Sequence, residues 1–226
     1  MVSTGVPTLD KLLGSKGYPE RSAILIPGPP GVGKQALGYS FIHSGLDEGD
    51  FCLYVTRLNT REVLRDAGAF GIDFGSKVPF WISKDGGELR YDYRDLTGLS
   101  YNIKEVLKKN SGNRIRIVAD VFSPLLMLNS PDVVYRFLTQ LLDEVKQYDA
   151  VLLATLEDGM HEPQVMTAMQ ALFDGVIELQ IYREGGLSYV PILSIQKMLG
   201  MPPQADYFRF SFSQNAMEVA AYARHT

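Results

Sequence analysis

Eight consecutive residues, Gly28-Pro29-Pro30-Gly31-Val32-Gly33-Lys34-Gln35, have the types and spacing of a loop that holds phosphate. Glycines at 28, 31 and 33 let the backbone wrap so that its N–H groups point inward at phosphate oxygens. The helical pattern that begins near Gly33 adds the positive end of a helix dipole, and Lys34 supplies a cation for the β and γ phosphates. The residues expected to touch nucleotide are therefore Gly28, Pro29, Pro30, Gly31, Val32, Gly33, Lys34, Gln35 and Ala36. One position departs from the pattern: Gln35 stands where a Ser or Thr hydroxyl normally ligates Mg²⁺. A Gln carbonyl oxygen reaches a metal-bound water, but the usual direct ligand is gone. Binding survives this exchange more readily than hydrolysis does.

A phosphate loop needs an acidic partner at the end of an apolar strand. Asp120 follows Ile115-Arg116-Ile117-Val118-Ala119, and is expected at the carboxyl end of a parallel strand beside the loop's own strand. There it would hold Mg²⁺ or its water shell. The alternative is an Asp that caps the next turn, since Ser123-Pro124 follows. Glu62, Glu157 and Asp158 are further carboxylates nearby in sequence; they read as solvated acids of helix or loop, with a substitute catalytic carboxylate as the alternative. Arg57, Arg61 and Arg65 recur every four residues, which brings one or two guanidiniums toward the mouth of a site. Lys104, Lys108, Lys109, Arg114 and Arg116 form a basic cluster, read either as a nucleic-acid contact or, preferably, as a solvated face. Trp81, Tyr91 and Tyr93 read as packing rather than as a stacking platform. Cys52 lies in the apolar run 51–55 and reads as a small buried hydrophobe, while His43, His161 and His225 lack the spacing of a zinc site.

These groups need a scaffold, and the chain supplies alternating patterns. Strand-length apolar runs are predicted at 23–27, 51–56, 79–83, 115–120 and 150–155. Between them lie helical periods at 34–45, 60–71 (capped by Asn59 or Thr60), 103–109, 131–148 and 164–173. Residues 175–182, 187–197 and 207–219 read as strands, with an antiparallel hairpin turning at Glu184-Gly185-Gly186. The expected fold is α/β: a mostly parallel central sheet flanked by helices, with antiparallel strands at the C-terminal end, in one domain spanning 1–226. The 226 residues carry a net charge of −4, which argues against broad affinity for nucleic acid or anionic lipid. No apolar run reaches the length of a membrane span, and the N-terminus has no signal-peptide pattern, so the expected location is cytoplasmic.

The order of motifs resembles the RecA-superfamily ATPases of the KaiC/RadA type. Ser3-Thr4-Gly5-Val6-Pro7-Thr8-Leu9-Asp10-Lys11-Leu12-Leu13-Gly14 is similar to the family's "STGIPGLDELLGG". The phosphate loop, the segment 47–56 and the acidic strand 118–126 follow in order. Phe173-Asp174-Gly175-Val176-Ile177-Glu178-Leu179 matches "ADGVIxL", and Ile195-Gln196-Lys197-Met198-Leu199-Gly200 resembles "xxKMRG". The resemblance implies a RecA-like core, ATP or ADP as ligand, Mg²⁺ as its companion, and a homo-oligomer, often a hexameric ring in which a neighbour completes each site. It also exposes departures. The family's glutamate pair after the second strand is replaced by Thr56-Arg57-Leu58-Asn59. Of the lysine and arginine supplied in trans, Lys197 remains but Leu199 replaces the arginine. A lost base, metal ligand and arginine finger each raise the barrier, the finger alone by about 10³–10⁵ in rate. The expectation is a nucleotide-binding protein with weak or absent hydrolysis, whose nucleotide governs assembly or partner binding. The alternatives are an active ATPase of DNA recombination or repair, and a nucleotide-free structural paralogue.

Overall fold

The computed structural model describes residues 1–14, 17–75, 77, 79–83, 88–184, 188–202, 206–213 and 216–221. Its elements run α1 (Pro7–Leu12), β1 (Ala23–Gly28), α2 (Lys34–Glu48), β2 (Phe51–Thr56), α3 (Thr60–Ala69), β3 (Phe80–Ser83), β4 (Leu89–Arg90) and α4 (Leu96–Lys109). They continue as β5 (Ile115–Asp120), α5 (Phe122–Leu128), α6 (Pro131–Gln147), β6 (Ala150–Glu157), α7 (Pro163–Leu172), β7 (Gly175–Glu184), β8 (Ser188–Met198), β9 (Tyr207–Ser213) and β10 (Ala216–Ala221). All strands join one sheet in the order β10-β9-β8-β7-β1-β6-β5-β2-β3-β4. Pairings from β7 through β1, β6, β5, β2 and β3 to β4 are parallel, and β7 through β10 pair antiparallel.

The central strands are buried on both faces, which is why their sequences are continuous apolar runs rather than alternations. In β1, Ala23 and Leu25 pack toward one core with α4, α5, α6 and α7. Ile24 and Ile26 point the other way, into a second core with α1, α2 and α3. Helix ends follow local chemistry. Asn59 accepts from the Glu62 amide, and Glu62 accepts from the Asn59 amide, each at 3.0 Å; this reciprocal box starts α3. Asp95 accepts from the Gly98 amide, so α4 begins at Leu96 rather than near Ile103.

Other boundaries also differ from expectation. Pro7 opens a six-residue helix in a segment with too few residues to show a period. The turn expected after Asp120 is the helix α5, and β6 continues two residues past Thr155. The β7–β8 pairing is antiparallel as expected, while residues 185–186 of its turn lie outside the described residues. One topological expectation fails. The acidic strand β5 is not beside β1; β6 lies between them and pairs with both.

Four members of the basic cluster, Lys104, Lys108, Lys109 and Arg114, are exposed as a solvated face, but the fifth is not. Arg116 is fully buried. Its Nε donates to Asp50 at 2.7 Å, Nη2 to Glu48 at 2.7 Å, and Nη1 to the carbonyls of Ser3 and Phe41 at 2.8 and 3.1 Å. A Cβ at Gly45 would lie 2.5 Å from its Cδ, so the glycine in mid-helix α2 makes room for this side chain. Lys104 pairs with Glu144 and Arg114 with Glu48. Alternation along β5 turns Arg116 under α2, away from the exposed lysines 108 and 109.

Candidate functional site

The carboxyl ends of β1, β6, β5 and β2 lie side by side, and the site is built on them. Backbone register sets Gly28 opposite Glu157, and Thr56 opposite Asp120. The chain leaves β1 and turns through Gly31 (φ +76°) and Gly33 (φ +97°) before α2 starts at Lys34. Both angles are in the left-handed region, where glycine adds no Cβ penalty. The first amides of α2 have no acceptor within the helix, so the loop presents donors as well as a dipole end. Lys34 is 1% exposed, and its Nζ has three donors. They meet the carbonyls of Gly28 (2.9 Å) and Pro29 (2.8 Å) and Oε2 of Glu157 (2.8 Å).

The inserted strand β6 supplies two groups to the cleft. Thr155 donates its hydroxyl to Asp120 Oδ1 at 2.6 Å, and Glu157, two residues on and hence on the same face, meets Lys34. The Glu157 amide donates to Ser123 Oγ at 2.8 Å, tying the start of α5 to the strand end. Burial pushes the Asp120 carboxyl above its ordinary value, with the Thr155 hydroxyl and the Arg57 and Lys34 charges pulling the other way.

Helix α3 forms the facing wall. A cavity of about 420 Å³ is lined by Gly31, Gly33, Gln35, Arg57, Glu62, Arg65, Asp66 and Asp120, among others. A neighbouring cavity of about 390 Å³ shares Arg57 and Asp120 and adds Ser123, Thr155 and Glu157. Arg57 and Asp120 thus border both spaces. Asp66 accepts from the Tyr39 hydroxyl at 2.6 Å, joining α3 to α2. The ring of Phe212 covers Gly33 so closely that a Cβ there would lie 2.4 Å from Cζ, and it meets Phe70 edge-on at 4.9 Å.

A glycine-wrapped loop whose lysine is held beneath it, opposite an acid at the end of a parallel strand, is the geometry of a P-loop nucleotide site. The sequence model of the KaiC ATPase family matches residues 2–223. The chain belongs to the KaiC family. It is 28% identical over 228 residues to the circadian clock protein KaiC2 of Synechocystis, covering 96% of this chain and 39% of that protein. A UPF0273 protein of Pyrococcus horikoshii is 30% identical over 154 residues, 62% of this chain and 61% of that protein. The fold matches the crystal structure of a KaiC-like protein from the same archaeon with a TM-score of 0.78 at 21% identity, covering 98% of each chain. The chain spans about two fifths of KaiC2. This is a KaiC/RadA-like member of a nucleotide-binding family whose sites typically work with Mg²⁺.

Within this KaiC-family site, Gly31, Gly33, Gln35 and Asp120 share one cavity, with Lys34 below. Lys197 lies elsewhere, beside the Ala171 carbonyl in a different cavity, and Leu199 is exposed. For a magnesium ion, the cavity offers the carboxylates of Asp120, Glu62 and Asp66, with Asp120 accepting from Thr155 at Oδ1 alone, and the half-buried Gln35 amide in place of a hydroxyl. Arg57 borders the same space, beside Asp120. Mg²⁺ is ordinarily held by one or two carboxylates together with waters and substrate phosphates, so Asp120 would supply the protein's carboxylate, with the missing hydroxyl and the neighbouring guanidinium acting against the hold. No helix among the described residues is long and apolar enough to cross a membrane.

Three site residues escaped the sequence reading. Glu157 was read as a solvated acid, yet it pairs with Lys34. Thr155 was read as the last residue of a buried strand. The signal was present in the run Ala154-Thr155-Leu156-Glu157, whose polar members recur with period two at the end of the apolar run 150–154. Phe212 had no such signal, because it reaches the loop only through the antiparallel β7–β8–β9 return. Trp81 and Tyr91 are buried core residues, consistent with packing.

Proposed function

We propose that this KaiC-family chain binds ATP or ADP on Gly28–Ala36, hydrolyses it weakly or not at all, and uses occupancy to govern assembly with further copies or a protein partner. The observation that carries the reading is that no carboxylate follows β2 at the cleft, while each carboxylate described around it accepts a hydrogen bond within the fold at one oxygen. Asp120 accepts from Thr155, Glu157 from Lys34, Asp66 from Tyr39, and Glu62 from the Asn59 amide. A general base must be within reach of the water it activates and free to take its proton. The segment Thr56-Arg57-Leu58-Asn59, which leaves β2 at the cleft where the resemblance places the glutamate pair, adds no carboxylate for that task. Asp120 is the residue to hold Mg²⁺ or its water, and Gln35 weakens that hold. Lys197 lies outside this cleft, so its role would be in trans, on a neighbouring copy's site. The recombination reading loses support from the burial of Arg116 and the pairing of Lys104 and Arg114.

The test is nucleotide binding and turnover measured side by side for the wild type and Gln35→Thr. The expected result is binding by both, stronger magnesium dependence with Thr, and negligible turnover in either. Rapid hydrolysis by the wild type, abolished by Lys34→Ala, refutes weak turnover. Absence of binding to ATP and ADP, with or without Mg²⁺, refutes the nucleotide role and favours a structural paralogue.

A further inference from the structure

The charge balance of the cleft is unusual for a site that takes a polyphosphate. Lys34, the expected cation, spends all three donors on Gly28, Pro29 and Glu157. The carboxylates are engaged within the fold. Arg57 is different: among the described residues it makes no ion pair and donates no hydrogen bond, and its side chain is exposed at the cleft. It leaves the carboxyl end of β2 one residue after Thr56, which lies in register with Asp120. It borders both cavities, on the side where the phosphate loop faces β5. Its place in the lining of both cavities puts it beside Asp120 at the strand ends.

A nucleotide whose phosphates lie along the loop amides runs its terminal phosphate from Gly31–Lys34 toward β5 and β2, the boundary that Arg57 and Asp120 form. Bare ATP carries more negative charge there than ADP, and Asp120 adds to it. Something positive must offset that charge. Magnesium usually does so, but here Gln35 stands in place of the hydroxyl that would ligate it. A planar guanidinium matches phosphate oxygens in a two-pronged geometry and keeps its charge at any physiological pH.

We propose that Arg57, supplied in cis from the end of β2, is the countercharge for the terminal phosphate, so that this site selects nucleoside triphosphate over diphosphate without requiring a divalent cation. The inference rests on the nucleotide-binding reading above and names what discriminates between nucleotides in that same site. Arg57 is a specificity-determining residue here. It directly precedes Leu58 and Asn59, the two positions where the resemblance places the glutamate pair.

The experiment uses the full chain and titrates ATP and ADP, each with Mg²⁺ and with EDTA, by calorimetry. Wild type, Arg57→Gln, Arg57→Lys and Lys34→Ala are compared, with circular dichroism melts to confirm folding. The expected wild-type result is ATP bound more tightly than ADP in EDTA. Loss of one charged contact is worth about ten- to hundredfold. Arg57→Gln should therefore lower ATP affinity by that factor, leave ADP within about threefold, and erase the preference, while Arg57→Lys restores part of it. An unchanged ATP-to-ADP ratio in Arg57→Gln, with Lys34→Ala abolishing both, overturns the inference and leaves nucleotide binding intact. Wild-type ATP binding that appears only with Mg²⁺ overturns it as well. Failure of the wild type to bind either nucleotide removes the underlying reading, and the inference falls with it.

Discussion

Replacing Glu157 by Gln should tighten nucleotide binding and loosen the nucleotide-free protein. Lys34 has three N–H donors and three acceptors within 2.9 Å, two of them carbonyls of the loop and the third Glu157 Oε2. A phosphate oxygen that takes a Lys34 donor displaces one of these, and the carboxylate also repels it. Hydrogen bonds to charged groups contribute about 1.5–3 kcal/mol. The Glu157 side chain is 23% exposed against 1% for Lys34, so screening trims the pair toward the lower part of that range. Glu157→Gln keeps an acceptor and removes the charge, a net change of about 1 kcal/mol. The free protein should lose about that much stability, lowering Tm by about 2–4 °C in a chain this long. Nucleotide affinity should rise about fivefold, since the competitor for Lys34 is weakened. Calorimetric titration and thermal melts with and without nucleotide read both quantities on the same preparation. Affinity that falls in Glu157→Gln while the free protein keeps its Tm would refute the competition and make Glu157 a contributor to binding.

Two further outcomes follow from buried charge. Arg116→Met removes four hydrogen bonds and strands Asp50, which the fold buries, so the expected loss is about 3–5 kcal/mol, read as a Tm lower by about 10 °C; a loss under about 1 kcal/mol contradicts the buried network. Asp120 has a folded-state pKa raised by burial, so its ionised form disfavours folding at pH above the unfolded value, and that penalty disappears as pH falls through the raised pKa. Asp120→Asn should therefore stabilise the nucleotide-free protein at neutral pH, with the gain shrinking in acid; urea melts across pH check the sign, and a gain that grows in acid refutes it.

Much of this protein was legible because local chemistry fixed it. The run 28–35 needs few neighbours to be recognised, since glycine spacing and a lysine at a helix start define the loop wherever it lies. The same holds for α3, whose Asn59 and Glu62 sit three apart in the sequence. What stayed hidden depended on strand order. Nothing in the runs 23–27, 115–120 and 150–155 tells which strand lies between the other two, because all three are apolar and buried on both faces. Putting β5 beside β1 therefore left Thr155 and Glu157 without a role. Arg116 misled for a related reason: its charge marks a surface in the sequence, while its partners Glu48, Asp50, Ser3 and Phe41 come from three separate segments. An arginine between apolar residues on a central strand should be read as buried and paired, and its partners sought among acids that precede the neighbouring strand.

The position of β6 also gives the proposed link between occupancy and assembly a physical route. Its last residue holds the loop lysine through its side chain and the Ser123 hydroxyl through its amide, while the next amide, from Asp158, donates to the Gly28 carbonyl. Release of Lys34 to a phosphate therefore acts on one short segment tied both to the loop and to the first turn of α5. Helix α5 ends in Met127 and Leu128, which with Met160 form exposed apolar walls of the second cavity. Each tie is a single hydrogen bond between groups with two available states, engaged or free, which is the kind of element that two sites can bias together. A site that hydrolyses its ligand slowly would hold such a segment in one state for as long as the nucleotide stays bound. Under the proposed function, slow turnover would then serve that coupling, because occupancy would set how Glu157 is engaged.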